Sequence, residues 1–175
     1  MSNNAPFNID LTNVNNSPYL NVENKNRVRF DFDNINNFII NFIIDQFKNE
    51  ELLNILYLSN VSVNEFSQDS LNIATKEYLN LYKSSHLWKE KIINVIDDGD
   101  LIEYTFSETK DVNISAVYDY YLYMKTTEAQ DNYLYFYNKN FIINMNSDVL
   151  DIVTNNEKFI KNIKTSIISY DKYYE

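Results

Sequence analysis

One glycine in 175 residues, set against 29 asparagines, limits what this chain can build. A Gly-rich loop that cradles phosphate needs several glycines close together, and a single one cannot make it. Cysteine is absent, which removes disulfides, thiol catalysis and thiolate metal sites together. Histidine occurs once, at His86. A chain this poor in reactive side chains reads as one that acts by contact. No catalytic residue, no cofactor and no metal is assigned to it, and it is not read as an enzyme.

The length suits one domain with a real core. A hydrophobic fraction of 45% and a mean hydropathy of −0.42 are ordinary for a globular chain. The formal net charge of −10 argues against nucleic acid, because phosphate binding needs a basic stripe. It equally disfavours an anionic membrane. The opening Met-Ser-Asn-Asn-Ala-Pro has neither the basic nor the apolar region of a signal peptide. No run reaches the ~18 apolar residues of a membrane span. Freedom from cysteine fits a reducing cytosol or a particle assembled there. The excess of Asn, Ile and Tyr is the coding bias of an AT-rich genome, yet Lys and Arg together number only 15. Positive charge has been held down.

Along the chain, residues 1–32 read as an extended N-terminal arm. Both prolines and both arginines fall there, and the alternations Phe7 to Leu11 and Val28 to Phe32 are pieces that can add to a sheet edge. Residues 33–175 read as a single α+β domain. Asp33 or Asn34 caps a helix with Ile35, Phe38, Ile39, Phe42 and Ile43 on one stripe. Glu50 to Leu58 continues as helix. A second long helix opens at Ser67 or Asp69, carries Leu71, Ala74, Tyr78, Leu81 and Tyr82, and runs on through Trp88, Ile92 and Ile96 to a stop at Asp97-Asp98-Gly99-Asp100. The period then changes to two over Leu101 to Phe106 and Ile114 to Met124. Tyr133 to Tyr137 and Phe141 to Met145 form a hairpin across an Asn-rich loop. Ser147 caps a short helix through Val153, and a last helix from Glu157 buries Phe159, Ile160, Ile163 and Ile167. The expected architecture is therefore two or three long helices, a three- to four-stranded antiparallel sheet and a C-terminal helix.

The candidate sites for chemistry are weak. The acidic turn Asp97 to Asp100, with Glu103, has its glycine third and its Glu seventh, whereas a calcium loop needs them sixth and twelfth. His86 has Ser84 and Ser85 beside it in sequence, but neighbours on a helix point in different directions. The better signal is tyrosine. Seven of the 15 fall between Tyr118 and Tyr137, and a large apolar body with a polar tip suits a surface covered by a partner. The interface expected from this pattern comprises Phe7, Ile9, Leu11 and Tyr19 of the arm, Tyr118, Tyr120, Tyr121, Tyr123, Tyr133, Tyr135 and Tyr137 of the strands, and Tyr173 and Tyr174 at the end.

Two resemblances reach the middle of the chain. Leu53, Ile55 and Leu56, the polar connection Val61 to Phe66, then Ser70, Ala74, Tyr78, Leu81, Leu87 and Trp88 resemble the helix, loop and helix of head-to-tail connector (adaptor) proteins of tailed bacteriophages. That resemblance implies a ring in the neck of a virion, between portal and tail. Glu51 to Leu56, Ala74 to Tyr78 and Ser85 to Lys89 are similar to the spaced Leu, Lys and Leu-Trp positions of the F-box, which docks a ubiquitin-ligase adaptor. The expectation drawn is a structural virion protein, a connector, neck or capsid-associated component in a ring assembly. Its partners would be portal, tail or capsid subunits and copies of itself, without nucleic acid or membrane, and it would reside in the virion after assembly in the host cytoplasm. The alternative is an F-box-like or other adaptor that binds a host protein.

Overall fold

Strands that are apolar on both faces dominate the observed architecture. The computed structural model describes residues 5–15, 17–47, 52–64, 66–68, 87–127, 133–167 and 170–171. Within them lie β1 (Arg27–Asp31), α1 (Asn37–Phe47), β2 (Leu53–Val63), β3 (Phe66–Gln68), β4 (Trp88–Asp97), β5 (Asp100–Val112), α2 (Ser115–Thr127), β6 (Leu134–Tyr137), β7 (Phe141–Met145), β8 (Val149–Thr154) and α3 (Glu157–Ser166). Every pairing is antiparallel. The strands form one sheet in the order β1-β8-β7-β6-β2-β5-β4, with β3 also on β2.

Each face of the sheet carries its own core. Leu134 and Phe136 of β6, Phe141, Ile143 and Met145 of β7, and Leu150 and Ile152 of β8 point to one side, with Ile39, Ile40, Ile43, Val117, Tyr120, Phe159, Ile160 and Ile163 of the helices. Tyr135, Tyr137, Ile142 and Val153 point to the other, where Leu56, Phe106, Ala5, Ile9, Leu11 and Tyr19 join them. This is the alternation a strand imposes, with both faces apolar because both are covered. The cover on the second face is the N-terminal segment. It folds as short 3-10 turns at Pro6–Asn8, Pro18–Asn21 and Asn24–Asn26 before entering the sheet as β1.

This corrects the expected architecture in several places. Of the two alternations expected to add to a sheet edge, Val28 to Phe32 supplies most of β1 at the edge of the chain's own sheet, while Ile9 and Leu11 lie in the core of its second face. The sheet is far wider than three or four strands, and the helices are three short ones of 11, 13 and 10 residues among the described residues. Leu53 to Leu58 and Trp88 to Ile96 are strands: spacing by four in Trp88, Ile92 and Ile96 satisfies a helix and also one face of a strand, and the β-branched run Ile92-Ile93 and Val95-Ile96 settles it toward strand. Ile114 to Met124 is helical instead. Its buried positions Ala116, Val117, Tyr120, Tyr121 and Met124 follow the helical spacing that the tyrosine alternation obscured. Ser147 to Val153 leads into β8, since Leu150 and Ile152 face one core and Val153 the other. The expected helix over residues 69–86 lies outside the described residues. The hairpin of β6 and β7 and the last helix stand where the sequence pattern put them.

The asparagines have a structural role that coding bias alone does not convey. Asn36 Oδ1 accepts from the N–H of Phe38 and Ile39 at 3.0 and 3.1 Å and starts α1, two or three residues later than the expected cap at Asp33 or Asn34. Asn138 receives the N–H groups of Asn140 and Phe141, Asn146 those of Asp148 and Val149, Asn113 that of Ser115 and Asn156 that of Phe159. Side chains of this kind close the turns of a chain that has almost no glycine.

Leu11 is central to the second cover, at 1% exposure. Leu11→Ala is expected to lower the unfolding free energy by about 2 to 5 kcal/mol. Urea denaturation followed by circular dichroism measures it, and an unchanged midpoint would mean that the segment does not seal that face.

Candidate functional site

The expected interface tyrosines are mostly committed inside the chain. Tyr133, at the head of β6, donates its hydroxyl to the carbonyls of Leu11 and Asn13 at 3.1 and 3.0 Å and so ties down the N-terminal segment. Its ring packs edge-on against Tyr135 (4.9 Å between centroids) and Phe106 (5.7 Å). Tyr137 donates to the carboxylate of Glu108, which is buried on the same face. Tyr121 donates to the carbonyl of Ile35, joining α2 to the entry of α1, and Tyr120 packs on Phe136. Tyr118 and Tyr123 are half-buried on α2, Ile9 and Leu11 are buried, and Phe7 is exposed. Tyr173 and Tyr174 lie outside the described residues. The structure thus gathers Ile9, Leu11, Tyr19, Tyr133, Tyr135 and Tyr137 on one face of the sheet, and Tyr118, Tyr120, Tyr121 and Tyr123 on the other.

A polar cluster missed by the sequence reading anchors the sheet's first edge. Arg29 of β1 makes a two-pronged contact with Asp151 of β8, at 2.6 and 2.7 Å. The Tyr19 ring lies under both the Arg27 and Arg29 guanidinium groups, at 4.6 and 4.3 Å. Burial pushes the Asp151 carboxyl above its ordinary value in spite of Arg29. No local signal marks this contact, because 122 residues separate the partners. Around α3, Lys158, Lys161, Lys164 and Lys25 line an open groove of 610 Å³ with Glu157 and Tyr170. Lys25 is engaged by Glu157 (3.1 Å) and Glu23 (3.3 Å), and Lys164 by the carbonyl of Asn24.

The remaining surface feature is a wing. Past Leu58 and Phe106 the strands β2 and β5 run on with β4 beside them, and none of the residues Ser59–Val63, Trp88–Asp97 or Asp100–Thr105 is buried, although Trp88 still packs against the first core and Ile93 and Tyr104 against the second. A bulge between Leu58 and Asn60 marks the departure, with Ser59 Oγ donating to the Thr105 carbonyl at 2.8 Å. At the tip, Asp97 pairs with Asp100 across a two-residue turn. Asp98 and Gly99 both have positive φ, 47° and 91°, so the one glycine serves a hairpin turn. Asn64 holds this turn from the side: its amide donates to Asp100 Oδ1 at 2.7 Å and its Oδ1 accepts from the Leu101 N–H at 3.0 Å. On the helix-side face of the wing Ile92 is 57% exposed, Ile96 77% and Leu101 45%. Its opposite face carries Ile93, Val95, Ile102, Tyr104, Val61 and Val63, all half-buried.

Among the described residues no group of three or more His, Asp or Glu is placed to hold a metal ion, and no helix is long and apolar enough to cross a membrane. His86, Ser84 and Ser85 lie outside the described residues, as do Ser70, Ala74, Tyr78 and Leu81. Of the other residues that carry the two resemblances, Leu53, Ile55 and Leu56 are in β2, Trp88 is in β4 and Leu87 is exposed just before it. Compared with family profiles, curated proteins and solved structures, the chain matches none.

Two predictions come from these contacts. Arg29→Met leaves a buried carboxylate without its cation and is expected to cost about 3 to 5 kcal/mol at neutral pH. The variant raises the folded-state pKa of Asp151 further, so the folded form holds its proton more tightly than the unfolded form. The loss therefore shrinks as pH falls toward the ordinary carboxylate range. Denaturation of both proteins across pH tests this, and a deficit that ignores pH would exclude Asp151 as its cause. At alkaline pH the signs reverse onto tyrosine. Burial raises the phenol of Tyr133 to about 12 and pushes those of Tyr135 and Tyr137 higher still. The unfolded chain loses these protons near the ordinary value of 10 and the folded chain keeps them, so stability falls as pH rises above it. Phenolate absorbance should show these tyrosines ionising only as the circular dichroism signal collapses; full titration of all 15 with the fold intact would contradict it.

Proposed function

We propose that this chain is a structural protein of a virus particle, a head-tail connector, neck or capsid-associated component that works by contact within an oligomeric assembly. The observation that carries the reading is the wing. The aliphatic side chains of Ile92, Ile96 and Leu101 are presented to solvent on a stretch of β4 and β5 where they join neither core. Exposed aliphatics on such a projection are the kind of surface that another protein covers. The coding bias, the suppressed positive charge and the scarcity of reactive side chains support the same reading. So does the interior, where tyrosine hydroxyls serve as ties between segments and not as a reactive site. Phe7 and the half-buried Tyr118 extend the candidate contact surface away from the wing.

The test is physical association with particles. Lysate of the cells that make this protein is fractionated on a density gradient and probed with an antibody against the chain. It is expected to sediment with assembled particles and to survive a wash in high salt, since the contact is apolar. Recovery only among the slow soluble fractions would overturn the proposal.

A further inference from the structure

We propose that two copies of this chain pair through the free edge of β4, joining their sheets across a two-fold axis at Asn94. The inference rests on the contact reading above and names one partner for it, a second copy. Among the described residues no strand pairs with the outer side of β4, which ends the sheet order. The opposite edge is partly occupied, because the N–H of Asp171 donates to the Arg29 carbonyl of β1 at 2.8 Å. An edge of ten residues whose outward backbone groups meet no strand among the described residues is a template for another strand.

The hairpin fixes which groups face outward. Asp97 and Asp100 close the two-residue turn, so they exchange hydrogen bonds, and every second residue before Asp97 does likewise toward β5. The backbone groups of Ile96, Asn94, Ile92 and Glu90 therefore point away from β5, and their side chains are exposed. In agreement, Leu101, which stands opposite Ile96, turns its N–H and carbonyl to Asn64 and not to β4.

Laid antiparallel on its own copy about Asn94, β4 is self-complementary over Lys91 to Asp97. Ile92 meets Ile96 of the second copy, and Asn94 meets Asn94. On the other face Ile93 meets Val95 and Lys91 meets Asp97. Ile92 and Ile96, two of the most exposed aliphatics of the wing, thus cover one another. Lysines on an edge strand ordinarily keep a second strand away. Here the register cancels Lys91 against an aspartate twice, once on each side of the axis, and Lys89 falls level with Gly99 of the turn. Lys91 donates to Thr12 Oγ1 at 3.1 Å, and an ammonium group has two further donors for the carboxylate. Glu90 comes level with Asp98, beyond the last paired residue. The interface is isologous and closes at two copies.

Light scattering on a sizing column, run as a concentration series on the full chain, reads the result. The mass is expected to rise from 20.8 kDa toward twice that value. Asn94→Pro removes an outward N–H at the axis while the bonds of β4 to β5 come from its neighbours, and it should abolish pairing with the circular dichroism spectrum retained. Lys91→Asp and Asp97→Lys each set like charges opposite one another twice per pair, and each should weaken association about tenfold, with the double exchange restoring it. If Asn94→Pro fails to fold, the charge series decides alone. A monomer at every concentration, or a dimer indifferent to all these changes, overturns the proposal. A monomer that still sediments with particles would remove the pairing and leave the virion reading standing.

Discussion

The fold depends on one requirement: a sheet that is apolar on both sides must be covered on both. All four residues of β6 are buried, as are Phe141, Ile142 and Ile143 of β7. Among the described residues three short helices cover one face. The opposite face is closed by some twenty residues that contain hardly any regular structure. Those residues hold because they are pinned. Leu11 and Tyr19 supply apolar contact, Tyr133 supplies two hydrogen bonds to the backbone, and the arginine pair of β1 clamps the Tyr19 ring. Without that layer Tyr135, Ile142 and Val153 would face water.

The polar groups admitted to the interior follow from the same constraint. Asp151 sits on the second face of β8 between apolar neighbours, and Arg29 from the adjacent strand answers it directly. Glu108 is answered by the Tyr137 hydroxyl from across β2, although its Oε2 has no hydrogen-bond partner among the described residues. The Trp88 indole N–H is in the same position, where β4 leaves the core and the wing begins. Glu108 and Trp88 lie along the boundary between the sealed part of the sheet and its exposed extension, whereas Asp151 lies at the opposite end of the sheet order.

How much of this was legible depended on whether a local period had one meaning. Phe159, Ile160 and Ile163 allow only a helix, and the β6–β7 hairpin announces itself by aromatic and aliphatic alternation around Asn138 to Asn140. Leu53 to Leu58 allows either state. A strand buried on both sides writes an unbroken apolar run, and nothing in the run says that a distant segment will cover its second face. Tyr118 to Tyr123 failed in the other direction, because alternating tyrosines happened to coincide with a helix whose buried stripe also uses Ala116, Val117 and Met124. The expected contact tyrosines were recognised as residues awaiting cover, but the sequence does not say whose surface provides it. For Tyr133, Tyr135 and Tyr137 that surface belongs to the same chain. The wing left a readable trace in the β-branched run of β4, yet the place of β4 at the end of the sheet order is a property that local pattern does not carry.

The turns have a consequence for the unfolded chain. Asn8, Asn64, Asp98 and Asp111 take left-handed backbone positions that glycine would fill with less strain, and Gly99 is the sole exception in the sequence. Each such residue gives up a little ease in the native state. The denatured ensemble is narrower than a glycine-bearing one, but at positive φ the native-state strain of a side chain outweighs that gain. The bends of this sheet are therefore held by the contacts around them, such as the bonds from Asn64 to Asp100 and Leu101, and not by an intrinsic ease of turning.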